Sequence, residues 1–246
     1  MFRPCIVIPV YNHQQKIQEI AQNIIGMGYP CYLIDDGSDI SCEAVLRRLA
    51  AEDRRIVLHR LPVNQGKGAA VCIGLRLAFR DGYTHALQID ADGQHQLQDI
   101  DRFLAESAAH PCNVVTGFRI SENSPRSRLY GRVATDIWVW INTLSLQIKD
   151  SMCGFRVYPL AETTALLDQV TVGRRMSFDT DILVRLYWSG LNISQIETRV
   201  VYSEETPSHF DLWRDNMRIS LMHARLFFGM MVRMPRLIKR HFNNKR

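Results

Sequence analysis

The chain has 246 residues, 46% of them apolar, and a formal net charge of +5; with no low-complexity tract or internal repeat, this suits one large α/β domain, or one domain with an appendage. Its six cysteines are scattered, without a C-x-x-C or zinc-type pair, the pattern of reduced core thiols in a cytosolic protein. Residues 213–246 hold nine Lys/Arg and one Asp, a net +8, so the rest of the chain is net −3. The basic character belongs to the tail and points to an acidic surface there, not to nucleic acid.

The start, MFRPCIVIPVYN, lacks the long apolar stretch of a signal peptide and reads as strand over Cys5–Val10. Lys16–Met27 has helical spacing. A second strand, Cys31–Ile34, runs into Asp35-Asp36-Gly37-Ser38. A helix follows over Ser41–Asp53, with Ser41 as its N-cap, then a third strand, Ile56–His59. Gly66–Phe79 is a small-residue helix, and Thr84–Ile89 a fourth strand ending in DADGQH. A helix over Leu97–Ala108 and a strand over Asn113–Gly117 complete the regular part. Ser121–Arg128 is a polar loop, Leu129–Ile148 a long helix with Trp138 and Trp140, and Asp150–Arg156 a polar turn. Asp179–Trp188 is helical, Ile193–Tyr202 strand-like and Asp211–Phe242 largely helical. Strands alternating with helices imply βαβ units and a mostly parallel, Rossmann-like sheet flanked by helices. Ligands bind such sheets at the carboxyl ends of strands, and PVYN, DDGS, NQGKG and DADGQ all fall there.

Asp90 and Asp92 stand one residue apart at a strand end, where like charges repel unless a cation lies between them. One Asp could cap the next helix; the second, and Gln94, need another reason. A calcium loop is excluded, because His95 sits at position six and no Glu at twelve. Zinc is disfavoured by a single His. Carboxylate and amide oxygens are hard ligands that suit Mg²⁺ or Mn²⁺ shared with a diphosphate. NQGKGAA (64–70) is not a Walker A loop, yet Gly66 and Gly68 allow close backbone approach. The free N–H groups of a helix start favour phosphate, and Lys67 adds charge.

PVYN (9–12), DDGS (35–38), N-x-GKGAA (64–70), DADGQH (90–95), GFR (117–119), D-x-x-CGFR (150–156) and FDTDIL (178–183), in this order, resemble the family 2 glycosyltransferases. The likeness is strongest to the dolichol-phosphate mannosyltransferase-like branch. It implies a GT-A fold and an inverting, metal-dependent transfer from a nucleotide sugar. It places Pro9 and Tyr11 at the nucleobase, and Asp35 and Asp36 at base and ribose. Gly66 and Lys67 fall near the nucleotide, and Asp90, Asp92 and Gln94 around the metal. Arg119, Arg128, Arg132 and Arg156 fall near an acceptor phosphate. Asp179 is the base a hydroxyl acceptor would need, with Asp181 as the near alternative; a polyprenyl phosphate, already an anion, needs none.

The tail, residues 216–246, has no apolar run near the ~20 residues a spanning helix needs. It reads as an in-plane amphipathic helix, with Leu226, Phe227, Phe228, Met230 and Met231 dipping into a membrane and Arg/Lys meeting anionic headgroups. The expected organisation is a glycosyltransferase domain over 1–210 and a basic amphipathic segment over 211–246. The expected enzyme sits peripherally on the cytoplasmic membrane face and transfers a sugar, from a UDP- rather than a GDP-linked donor, to polyprenyl phosphate or a hydroxylated acyl or glycolipid acceptor. The alternatives are a nucleotidyltransferase, disfavoured because IPVYNHQQ (8–15) lacks a Gly-rich loop, and a non-catalytic nucleotide-sugar-binding membrane adaptor.

Overall fold

A computed structural model describes residues 1–120, 126–200 and 212–243. Strand β1 (Pro4–Val10) sends Ile6, Ile8 and Val10 into one apolar layer and Cys5 and Val7 into another. That period of two, built from β-branched residues, fits a strand buried on both faces. Strands β2 (Cys31–Asp35), β3 (Ile56–Arg60), β4 (His85–Gln88), β5 (Asn113–Ile120), β6 (Arg156–Pro159) and β7 (Asn192–Arg199) complete a seven-stranded sheet of order β3-β2-β1-β4-β6-β5-β7. All neighbours pair in parallel except β6, which is antiparallel to β4 and β5. The mostly parallel sheet agrees with the sequence reading.

The helices are α1 (Gln14–Gly26), α2 (Ile40–Glu52), α3 (Lys67–Arg80), α4 (Ile100–Ala109), α5 (Arg126–Thr143), α6 (Leu160–Gln169), α7 (Phe178–Trp188) and α8 (Leu212–Asn243). Helices α1, α2 and α4 pack on one face of the sheet through Ile17, Leu46 and Phe103. On the other face α3, α6 and α7 contribute Val71, Leu167 and Phe178, and α8 adds Met222 and Leu226.

The sequence reading departs from the structure at several ends. The N-cap of α2 is Asp39, whose carboxylate accepts from Cys42 N at 2.8 Å, and Ser41 lies inside the helix. Leu97–Asp99 is a 3₁₀ turn that precedes α4. Helix α5 starts earlier than expected and stops at Thr143, because Leu144 turns left-handed (φ 50°). Strand β6 and helix α6 were not anticipated.

Strand β1 lies between β2 and β4, so chain connections leave it in opposite directions, and a crevice opens at the carboxyl ends of β1 and β4. Pro9 fits there at no cost in ladder bonds. The β4 side of β1 ends with Ile89 N donating to Val7 O at 3.1 Å, and the missing N–H of Pro9 faces the gap beyond.

Helix α8 carries two apolar stripes. Met222, Leu226, Met230 and Leu237 are buried against the domain. Trp213, Met217, Leu221, Phe228, Met231, Val232, Ile238 and Phe242 are exposed on the other side. Leu226 and Met230, expected to dip into a membrane, therefore belong to the packed stripe. No helix among the described residues is long and apolar enough to cross a membrane.

His223 lies in the contact of α8 with α5, stacked on Trp138 at 5.9 Å, with neither ring nitrogen hydrogen-bonded. Burial lowers its pKa to about 4. The folded state therefore takes up this proton later than the unfolded chain, whose His titrates near pH ~6.5. The stability the neutral ring confers is present above that value and is lost as pH falls toward 4. Replacing His223 by Phe should remove this slope. Melting curves from pH 7 down to 4 should show the variant gaining on the wild type as the pH drops.

Candidate active site

The loops at the crevice lock each other. Asn12, which tolerates its φ of 56°, accepts from Asp39 N at 2.9 Å through Oδ1 and donates its own N–H to Ser38 Oγ at 3.1 Å. PVYN and DDGS are thus one unit. Asp35 is fully buried, accepts from Ser38 N at 2.9 Å and pairs with Arg60. Asp36 accepts from Gln65 N at 2.7 Å and Gly66 N at 2.8 Å, fixing the next loop. Burial raises the pKa of Asp36 against the pull of those two donors.

Gly66 must be glycine: its φ is 102°, and a Cβ there would lie 2.5 Å from Arg174 O. The turn aims Lys67 inward from the first position of α3. Its Nζ donates to Asp90 Oδ2 and Asp179 Oδ2, both at 2.9 Å. Asp90 Oδ1 is also 2.8 Å from Nζ, but off the direction a hydrogen bond needs; it is a buried oxygen with no donor aimed at it. Burial alone would lower the Lys67 pKa, but the Asp179 and Asp90 charges outweigh it and hold the ammonium well above its usual range. Burial likewise disfavours the Asp90 carboxylate, and the Lys67 charge reverses this, holding Asp90 well below the usual carboxylate range. For Asp92, burial and the charge of Asp90 together raise the pKa.

Beneath this group, Gln88 Nε2 donates to Asp179 Oδ1 at 3.1 Å, and Tyr158 OH donates to Gln88 Oε1 at 3.0 Å. Arg156 is fully buried and donates to the carbonyls of Asp179 (2.7 Å), Ser151 and Cys153 (both 3.1 Å). It braces the floor and cannot meet an acceptor, which corrects the sequence reading. Gly154 presses against the charges from the CGFR turn. A Cβ there would fall 2.6 Å from Asp90 Oδ2 and 2.7 Å from Lys67 Nζ.

The crevice is a cleft of about 480 Å³. Pro9, Tyr11, Asp36, Gly66, Lys67, Asp90 and Asp92 line it, as do His13, Asn64, Arg175, Met176, Arg214, Asp215 and Arg218. Asp35, Asp179, Asp181 and Gln94 do not line it. Gln94, expected as a third metal ligand, gives its backbone N–H to Asp92 Oδ1 at 3.0 Å. Asp181 accepts from Gly173 N at 2.8 Å and from Arg185, away from the cleft. Arg119 makes a two-pronged pair with Asp150 at 2.7 and 2.9 Å, and Arg132 lies half-buried on α5; neither lines the cleft. The Arg128 side chain lies outside the described residues. The cleft arginines that sequence reasoning missed are Arg175, Arg214 and Arg218. The spacing of the last two, one turn apart on a helix, was the available signal.

The residues fit a divalent cation. Asp90 Oδ1 meets the Lys67 ammonium only as an ion pair and accepts no hydrogen bond, and Asp92 beside it is penalised by the charge of Asp90. The described residues contain no cluster of three or more His, Cys, Asp or Glu that could hold a metal alone. An ion here would need further oxygens from a ligand, as Mg²⁺ does when it bridges to phosphates.

The glycosyl transferase family 2 profile matches residues 5–164, and the chain belongs to that family. A UDP-N-acetylglucosamine–dolichyl-phosphate N-acetylglucosaminyltransferase of Methanococcus voltae is 23% identical over 217 residues, 81% of this chain and 86% of that one. An undecaprenyl-phosphate mannosyltransferase of Micrococcus luteus is 29% identical over 212 residues, 82% of this chain and 85% of that one. Among solved structures, glucosyl-3-phosphoglycerate synthase of Mycobacterium tuberculosis, in complex with Mn²⁺, UDP-glucose and phosphoglyceric acid, superposes with a TM-score of 0.65. It is 14% identical, covers 94% of this chain and 79% of its own, and shows the shared fold.

Removing one partner of a buried charge group leaves the others uncompensated. Lys67→Met should destabilise the fold by about 3 kcal/mol, read as a lower urea midpoint with an unchanged slope.

Proposed function

We propose that this family 2 glycosyltransferase moves a sugar from a UDP-sugar to the phosphate of a polyprenyl-type lipid, at a membrane surface and with inversion at the sugar carbon. One observation carries the reading. Arg214, Asp215 and Arg218 of α8 line the cleft, while Trp213, Met217 and Leu221 beside them are exposed apolar residues. The helix that closes the donor cleft is thus the one that presents an apolar surface. The names of the Methanococcus and Micrococcus relatives, which act on dolichyl and undecaprenyl phosphate, support the acceptor class. The UDP-sugars named for the Methanococcus enzyme and the Mycobacterium structure favour UDP over GDP.

In this reading Pro9 and Tyr11 flank the nucleobase, and Asp36 reaches the base or ribose. Asp90 and Asp92 would hold Mg²⁺ or Mn²⁺, which when bound supplies positive charge against the diphosphate leaving group. Lys67, Arg175, Arg214 and Arg218 add further cations around that diphosphate. Asp179 has both oxygens engaged and no face on the cleft. We assign it to holding Lys67 in place. An acceptor phosphate is already an anion and needs no base, so this enclosure favours it over a hydroxylated lipid. The outer stripe of α8 would lie in the headgroup layer, its flanking arginines meeting anionic lipids. The six unpaired cysteines suit the cytoplasmic face.

Purified protein given UDP- and GDP-sugars with Mg²⁺ or Mn²⁺ should release a nucleoside diphosphate when undecaprenyl phosphate is added. Asp92→Ala should lower that rate by at least about 100-fold. If no nucleotide sugar is consumed under any combination, the assignment is wrong. The double variant Phe228→Glu with Val232→Glu should lose association with neutral and anionic vesicles alike, and should raise KM for the lipid acceptor while leaving KM for the donor unchanged.

A further inference from the structure

Next to the donor cleft lies a second cavity of about 390 Å³, formed by the segment 171–177, α7 and α8. Five arginines line it: Arg174, Arg175, Arg185, Arg218 and Arg225. Its single acidic lining residue, Asp181, is engaged by Gly173 N and Arg185. Arg218 is paired with Asp215 at 2.9 Å, and Arg175 Nη1 donates to Asn64 Oδ1 at 3.1 Å. Arg175 and Arg218 also line the donor cleft, and the lining as a whole sets five planar guanidinium forks against one carboxylate. Such forks match phosphate oxygens two at a time.

We propose that this cavity binds the phosphate of an anionic phospholipid headgroup through Arg174 and Arg225, the two lining arginines that neither face the donor cleft nor pair with Asp181. The inference rests on the membrane-facing reading of α8 and adds a defined lipid contact to it. The rim decides between a lipid and a free phosphate. Leu221 lines the cavity and also belongs to the exposed apolar stripe of α8. A phosphate held by Arg174 and Arg225 would let its acyl chains run along that stripe. A free phosphate or nucleotide has no use for such a neighbour.

Vesicle co-sedimentation of the full chain tests this, with vesicles of phosphatidylcholine and of equal parts phosphatidylcholine and phosphatidylglycerol. The wild type should prefer the anionic vesicles. Arg174→Gln with Arg225→Gln should lose about 30-fold in affinity for them and keep the wild-type affinity for neutral ones. The charge-matched control, Arg47→Gln with Arg54→Gln on and after α2, should lose less than about threefold. An equal loss in the control, or no anionic preference in the wild type, overturns the proposal. On wild-type protein, short-chain soluble phosphatidylglycerol should displace the anionic vesicles, while inorganic phosphate, UDP and short-chain phosphatidylcholine should not. Displacement by inorganic phosphate or UDP would make this a free-anion pocket and overturn the lipid assignment. Loss of binding to both vesicle types in the Phe228→Glu/Val232→Glu variant, with no selective loss in the arginine variant, would leave the membrane reading intact and refute this site alone.

Discussion

The ammonium of Lys67 joins three segments far apart in the chain: the start of α3, the turn after β4 and the first turn of α7. It does so by contacting Asp90 and Asp179 together. One cation facing two carboxylates leaves the group short of positive charge, and Asp92 adds a third carboxylate at the cleft. Charges removed from water are costly unless their partners are well placed. The surroundings reflect that. Gln88, Tyr158 and Arg156 brace Asp179 from below, and Gly154 is bare of a side chain where any Cβ would strike the ion pair. The remaining negative charge faces the cleft, where a divalent ion would balance it.

Much of this was readable from the sequence because it is local. The strand ends, the small-residue helix after NQGKG and the carboxylates of DADG follow from periodicity and turn chemistry within a few residues. Strand β6 was not readable for the opposite reason. It has four residues, begins with a buried arginine, and exists as a strand because β4 and β5 flank it in the folded sheet. Arg156 looked like a ligand for phosphate; only the tertiary fold shows it encircled by carbonyls. Asp35 and Asp36 are adjacent and chemically alike, yet one pairs with Arg60 inside the domain and the other borders the cleft. Strand alternation sends neighbours to opposite sides, and the sequence alone does not say which side faces the ligand.

The tail shows where a pattern was seen but assigned to the wrong surface. LFFGMMV is apolar throughout, and taken as a block it looks like one membrane-facing patch. A helix turns about 100° per residue, so the block splits. Leu226 and Met230 continue the stripe begun by Met222 and bury against the domain; Phe228, Met231 and Val232 continue the stripe begun by Trp213 and Met217 and face out. Pro235 lies within the helix on the exposed side. There the backbone carbonyl it leaves without a partner can be met by water.

A helix needs one apolar stripe to dock on its own domain, and the inner stripe of α8 meets that need. The outer stripe is therefore the feature that calls for a reason. Trp213 is 82% exposed and Val232 81%. Burying a large apolar side chain fully is worth about 1.5–3 kcal/mol, so a run of such residues left in water forgoes several times that amount. A second apolar phase would recover it, and the flanking Arg214, Arg218, Arg225 and Arg236 would keep their charges at its polar boundary. Because Arg214 and Arg218 also line the donor cleft, a helix lying at that boundary would hold the cleft at the same level. A lipid phosphate could then reach the sugar without leaving the headgroup layer. In the proposed reading, placing the donor site at the membrane surface would spare the enzyme from extracting a long-chain acceptor.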